Sequence, residues 1–182
     1  AQGRTLKFLH YDVFTSEPLA GNQLAVFLDA RGLADARMQA LAREMSFSES
    51  TFIFPAEAPG TGVRMRIFTP GSELPMAGHP TIGSTFALAA EGVIAPGRKD
   101  FVFELGVGPT PVSMDWDERG LAFAWMTQQL PEVGPSINDR GALAQALGIG
   151  AADFAPGLLP QVISCGLPYL IVPLASRRAV DS

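Results

Sequence analysis

Between Glu73 and Glu91 the chain carries no Asp, Glu, Lys or Arg. The stretch runs Leu74-Pro-Met-Ala-Gly-His-Pro-Thr-Ile-Gly83 and continues Ser84-Thr-Phe-Ala-Leu-Ala-Ala90. Pro80 suits a first helical position, because its fixed φ fits the helix and its missing N–H would go unpaired there. Residues 80–90 therefore read as a buried helix, which the rest of the chain must cover. The free N–H groups and positive dipole end of such a helix point at whatever lies beside His79. That environment suits a carboxylate or another anion. One of only two histidines thus sits at the mouth of an anion-binding helix.

At 182 residues the chain is long enough for one large domain or two small ones. Its 47% hydrophobic and 17% charged residues suffice for a packed core and argue against disorder. A formal charge of −5 and the lack of any Lys/Arg cluster, with only the pair Arg177-Arg178 near the end, speak against nucleic-acid binding. Cys165 is the single cysteine, which precludes an internal disulfide and fits a reducing compartment. In the apolar run Gln161–Gly166 it reads as a buried, inert thiol. No segment reaches the length of a membrane span, and the N-terminus lacks the pattern of a leader. Ala1-Gln-Gly3 reads as an expression remnant or a ragged natural end. The composition predicts a soluble, cytoplasmic protein that contacts neither membrane nor nucleic acid.

Patterning places strands at Leu6–Phe14 and Gln23–Leu28. Asp35 then caps a helix with Met38, Leu41, Ala42 and Met45 on one face. Thr51–Phe54 returns to strand, and Val63, Met65 and Ile67 alternate with arginines in a half-buried one. Past the apolar helix, strands are expected at Phe101–Leu105, Pro111–Trp116 and Leu121–Met126. The pattern then restarts. Asn138 caps a short helix carrying Leu143, Ala146 and Leu147, and strands follow at Gln161–Cys165 and Tyr169–Leu174. Leu33–Ala42 and Ile137–Ala146 are loosely alike, as in a weak internal repeat whose second copy lacks the central helix. The implied division is 1–115 and 116–182.

Two groups carry the candidate chemistry. Ser46-Phe-Ser-Glu-Ser-Thr-Phe-Ile-Phe54 sets Glu49 among hydroxyls and phenylalanines in a helix-to-strand connection. Apolar surroundings disfavour the charged carboxylate and tune it toward proton transfer near neutrality. The competing reading is a solvated loop glutamate. For His79 the competing reading is an imidazole paired to backbone, against a titratable group in a cleft. Glu73 is expected to pair with Arg64 or Arg66, and Asp12 to face a pocket or pair with Lys7. No Cys/His cluster has metal-ligand spacing. The phosphate-loop, dinucleotide and nucleophile-elbow signatures are absent from the sequence. Proton movement at carbon fits a glutamate, a histidine and a helix N-terminus.

These residues resemble the PhzF family of phenazine-biosynthesis-like isomerases, within the diaminopimelate-epimerase-like fold. The matching stretches are Phe8–Phe14, Gly21–Val26, Met38–Phe52, Glu73–Thr81 and Ser164–Pro173. The resemblance implies an α+β fold of two similar domains, each a curled, mostly antiparallel sheet around a central helix. It implies Glu49 as the group that moves a proton and His79 as its active-site partner. Ser48, Gly78, Pro80 and Thr81 would face the substrate. A small carboxylate-bearing substrate, a homodimer and no cofactor or metal are further expectations. Two features depart from the family pattern. Met76-Ala-Gly-His79 lacks the cysteine of epimerase and racemase relatives, which disfavours a two-thiol racemase. The second-domain Asp-Pro-Ala-Thr-Gly-Ser type motif is not in the sequence, so a truncated second domain is expected. The leading expectation is a cofactor-independent isomerase. The alternatives are a non-catalytic homologue that binds a small acid or a protein partner, and an amino-acid epimerase or racemase.

Overall fold

The segment Asn22-Gln-Leu-Ala-Val-Phe27 forms a strand buried on both faces from Leu24 to Phe27. A strand of this kind needs cover on each side, and helix crossovers supply it. The computed structural model describes residues 4–181. The 1–3 segment, read above as a remnant or ragged end, and Ser182 lie outside the described residues. The chain divides into two units, with the division after Gln128.

The first unit contains β1 (Phe8–Val13), β2 (Asn22–Phe27), α1 (Asp35–Met45), β3 (Glu49–Pro55), β4 (Val63–Phe68) and the short β5 (Glu73–Leu74). After these come α2 (Gly78–Ala90), β6 (Asp100–Leu105), β7 (Gly108–Asp117) and β8 (Gly120–Met126). One sheet runs β1-β2-β3-β4-β6-β7-β8, with β5 paired to β4. Two parallel pairs, β2/β3 and β4/β6, mark the crossovers through α1 and α2; the other pairs are antiparallel.

Side-chain alternation divides the core. Leu24, Val26, Ile53, Met65 and Ile67 pack with Ala87 and Leu88 of α2. Ala25, Phe27, Phe52 and Phe68 pack with Met38 and Ala42 of α1 on the other side. Phe27 and Phe52 stack at 4.7 Å, and Phe68 meets Phe52 edge-on at 5.5 Å. Each fully buried aliphatic or aromatic side chain here contributes about 1.5–3 kcal/mol. α2 packs against β1, β2, β3 and β8, so the sheet curls until both its terminal strands reach the helix. This is the mixed α+β architecture, a curled sheet around a helix, that the family resemblance implies.

Local details differ from the sequence reading in instructive ways. Asp35 is the first helical residue rather than the cap. Ala34 takes the cap position without a side-chain bond, and Asp35 pairs instead with Arg66 at 2.6 Å. Glu73 holds Arg66 as expected, and burial with two carboxylates makes this arginine a fixed part of the sheet surface. Asp12 borders a cavity, as one of its two expected settings had it, and accepts from the Leu19 N–H, while Lys7 pairs with Glu91. An expected boundary at 115/116 falls inside β7, whose hairpin with β8 closes through Gly120 at φ +128°. The first unit therefore runs on through β8.

The second unit contains β9 (Glu132–Ser136), α3 (Arg140–Leu147), a 3-10 turn at Ala151–Asp153, β10 (Gln161–Ser164), β11 (Pro168–Ile171) and α4 (Arg177–Val180). Its antiparallel sheet runs β11-β10-β9. Asp139, not Asn138, caps α3 by accepting from the Ala142 N–H at 3.0 Å. Cys165 is half-exposed rather than buried.

Close packing of α2 depends on Gly83. A Cβ there would lie 2.6 Å from both Leu24 Cδ2 and Val13 Cγ2. Both neighbours are core residues, so neither gives way freely. Gly83→Leu should lower unfolding free energy by about 1–3 kcal/mol through overpacking. An unchanged urea midpoint would show that the helix does not sit this close to the sheet.

Candidate active site

Ser46 ends α1 in the left-handed conformation, with φ +56° and its N–H bonded to the Ala42 carbonyl. This turn reverses the chain directly into β3, so Glu49 is the first residue of the strand and not part of a free connection. Parallel pairing sets Glu49 opposite Leu24 of β2. Strand alternation puts Glu49 on the same face as Thr51 and Ile53, which is the α2 face. Neighbouring Ser48 donates to the Asn22 side-chain oxygen at 2.9 Å and ties the two strand starts together.

The other half comes from α2. Its N-cap is Ala77 and its first residue is Gly78, so Pro80 stands third rather than first. The N–H groups left free at the mouth are consequently those of Gly78 and His79, since Pro80 has none. Thr81, expected to face the substrate, lies too far into the helix to offer it a free N–H. Thr81 is fully buried and its hydroxyl donates to the Ala77 carbonyl at 2.8 Å. At Gly78 a Cβ would meet nothing within 4 Å, so this backbone borders open space.

Glu49 and His79 meet there. Glu49 Oε2 lies 3.5 Å from His79 Nδ1, with side-chain exposures of 17% and 9%. This is an ion-pair separation and is too long for a good hydrogen bond. Among the described residues, Glu49 Oε2 and His79 Nε2 are buried and have no hydrogen-bond partner. Buried polar atoms are nearly always paired, and the exceptions concentrate where a ligand binds. Burial holds the His79 imidazole below its ordinary value of 6.5, against the opposing effects of the Glu49 charge and a backbone hydrogen bond to Gln23. The ring is therefore neutral at neutral pH, able to donate from one nitrogen and accept at the other.

A cavity of about 630 Å³ opens on the first unit along the same helix, lined by Val13, Phe14, Ile82, Phe86 and Phe123 among others. Its polar lining comes from Tyr11, Asp12, Thr15 and Ser16, and it includes neither Glu49 nor His79. Of the residues singled out from sequence, the fold brings Ser48, Glu49, Gly78 and His79 together. Pro80 and Thr81 shape the helix behind them. Asn22 and Gln23 belong to this corner through the register of β2 against β3. Their only signal in the sequence was their place in the Gly21–Val26 stretch. No group of three or more His, Cys, Asp or Glu among the described residues is placed to hold a metal ion. No helix among them is long and apolar enough to cross a membrane.

Comparison with known proteins supplies the context. Residues 11–182 match the family model of phenazine biosynthesis-like proteins, PhzC-PhzF. An uncharacterized isomerase of Mesorhizobium japonicum is 42% identical over 97% of this chain and 58% of its own length. The trans-2,3-dihydro-3-hydroxyanthranilate isomerase of Pseudomonas aeruginosa is 39% identical over 97% of this chain and 60% of its own length. A solved structure from Pseudomonas aeruginosa, described as a predicted epimerase, aligns with a TM-score of 0.82 at 36% identity. That alignment covers 97% of this chain and 62% of the other. The chain thus spans less than two thirds of the length of the curated relatives it matches.

The His79 environment makes a prediction about stability. Its folded-state value is lowered, so below about pH 6.5 the unfolded imidazole takes up a proton that the folded one resists. Stability contributed by this residue is present above that range and is lost as the pH falls through it. Urea unfolding at pH 7.5 and 5.5 should show a larger acid-induced loss for the unaltered chain than for His79→Gln. Equal losses would contradict the burial of the ring.

Proposed function

The chain belongs to the phenazine biosynthesis-like family, and on that premise we propose that it carries the acid/base pair of a small-molecule isomerase. The observation that carries this reading is the Glu49–His79 pair, 3.5 Å apart at the mouth of α2, with a buried atom on each side chain free to meet a ligand. Glu49 takes a proton from one carbon of the substrate and returns it to another, leaving the atoms and electrons of the substrate unchanged in number. No redox change is involved, so the proposed step calls for no electron-carrying cofactor.

His79 acts as the neutral partner. It steadies the carboxylate from one side and offers its other nitrogen to a polar group of the substrate. The Gly78 and His79 N–H groups at the helix start receive a substrate carboxylate, helped by the positive end of the helix. Ser48, held by Asn22, lines the approach to Glu49. Pro80 and Thr81 contribute by fixing the first turn. We propose a small carboxylate-bearing compound as substrate. The compound named for the Pseudomonas aeruginosa relative, trans-2,3-dihydro-3-hydroxyanthranilate, is the first one to test.

Acid/base catalysis of this kind contributes about 10²–10⁴-fold. Incubation of that compound with the protein in D₂O should place deuterium on carbon. Glu49→Gln, which keeps the shape and removes the titrating group, should slow incorporation by at least about 10²-fold. Incorporation at an equal rate in the variant would remove Glu49 from the role.

A further inference from the structure

The buried polar residues of α2 behave differently from one another. Thr81 and Thr85 turn their hydroxyls back onto their own helix, donating to the Ala77 and Thr81 carbonyls at 2.8 Å each. Ser84 instead reaches across to the sheet, where its Oγ lies 2.9 Å from Thr51 Oγ1. Both residues are fully buried. Thr51 Oγ1 also lies 3.5 Å from the Ala25 carbonyl on β2, so the contact can continue into a third element. The neighbouring packing of α2 on the sheet is apolar, through Ala87 and Leu88. Apolar contact is non-directional and tolerates sliding, whereas a hydrogen bond weakens steeply with distance and angle.

The positions matter. Thr51 follows Glu49 on the same face of β3, and Ser84 follows His79 along α2. Strand rise separates Glu49 from Thr51 by about 6.7 Å. Helix rise separates His79 from Ser84 by about 7.5 Å. The hydroxyl pair and the acid/base pair are therefore two rungs, at similar spacing, between the same two elements. A slide of α2 by a single residue's rise, about 1.5 Å, would break the outer rung and open the inner one.

We propose that the Thr51–Ser84 hydroxyl pair locks the register of α2 against β3 and thereby sets the Glu49–His79 distance, making both hydroxyl residues positioning residues for the site. This rests on the acid/base reading of Glu49 and His79, but its test does not need turnover. Glu49 from β3 is the charged group that acts on the His79 ring, and β2 contributes the Gln23 backbone. Removing the Glu49 charge therefore reports how closely the two groups are held.

The measurement is the NMR titration midpoint of the His79 imidazole in the 182-residue chain, with and without Glu49→Gln, alongside thermal unfolding of each variant. In the native background Glu49→Gln should lower the midpoint. In a Thr51→Val background, which keeps shape and loses the hydroxyl, that lowering should shrink by more than half, and Thr51→Ser should restore it. Ser84→Ala should reproduce the valine result and stands in for it if Thr51→Val does not fold. A lowering of full size in Thr51→Val or Ser84→Ala, even with reduced stability, would overturn the proposal by reducing the pair to a structural role. No lowering in the native background would overturn it as well, because the inner pair would then be uncoupled. Failure of the isomerase reading has a different signature: deuterium incorporation unaffected by Glu49→Gln with the titration coupling intact.

Discussion

Enclosure of the uncharged helix α2 is the constraint on which the first unit depends. With Pro80, Thr81, Gly83, Ser84, Thr85, Ala87 and Leu88 all buried, only the stripe of Ile82, Phe86 and Ala89 on its central turns is partly open to water. A flat sheet covers one face of a helix. Covering more requires the sheet to bend, and here β1 and β8, the two ends of the strand order, both pack on α2. Gly83 lets the helix approach β1 and β2 closely enough for that packing. The long hairpin of β7 and β8 then carries the sheet round to the far side.

The same enclosure creates the chemistry. A helix buried along its length presents its N-terminal N–H groups at one defined opening, and α2 opens where β3 begins. His79 arrives there from the helix and Glu49 from the strand, both largely out of water. Desolvation works against the charged form of His79, while attraction to the Glu49 carboxylate works for it. For His79 desolvation prevails, and the ring stays neutral near neutrality. A neutral imidazole thus stands beside a carboxylate at the end of the helix that presents the Gly78 and His79 N–H groups.

Much of this was legible in the sequence, for physical reasons that also explain the rest. The absence of charge between Glu73 and Glu91 announced a buried helix, and Val63–Ile67 announced its strand through alternation. His79 at the helix mouth followed from the Gly78 and Pro80 beside it, although Gly78 rather than Pro80 opens the helix. Capping was less readable. Asp35 and Asn138 had suitable side chains, yet Asp35 was drawn to Arg66 and Asp139 took the second cap. Partners set by strand register were invisible. Nothing in the chain's local pattern says that Ser48 will meet Asn22 or that Thr51 will meet Ser84, because those contacts depend on which strand lies beside β3 and how far α2 slides along it. The division after Gln128 was hidden for a similar reason: the pairing of β7 with β8, which keeps both in the first unit, is a matter of register.

Binding of a small acid at the mouth of α2, between Glu49 and His79, is the proposal on which the isomerase reading turns. It is tested by titrating the isotope-labelled chain with a simple aromatic carboxylate, benzoate, followed by NMR. Saturable shifts of the Gly78 and His79 amide signals together with the His79 imidazole are expected. Saturable shifts confined to Phe14, Phe86 and Phe123, around the apolar cavity, with the helix mouth unmoved, would contradict it.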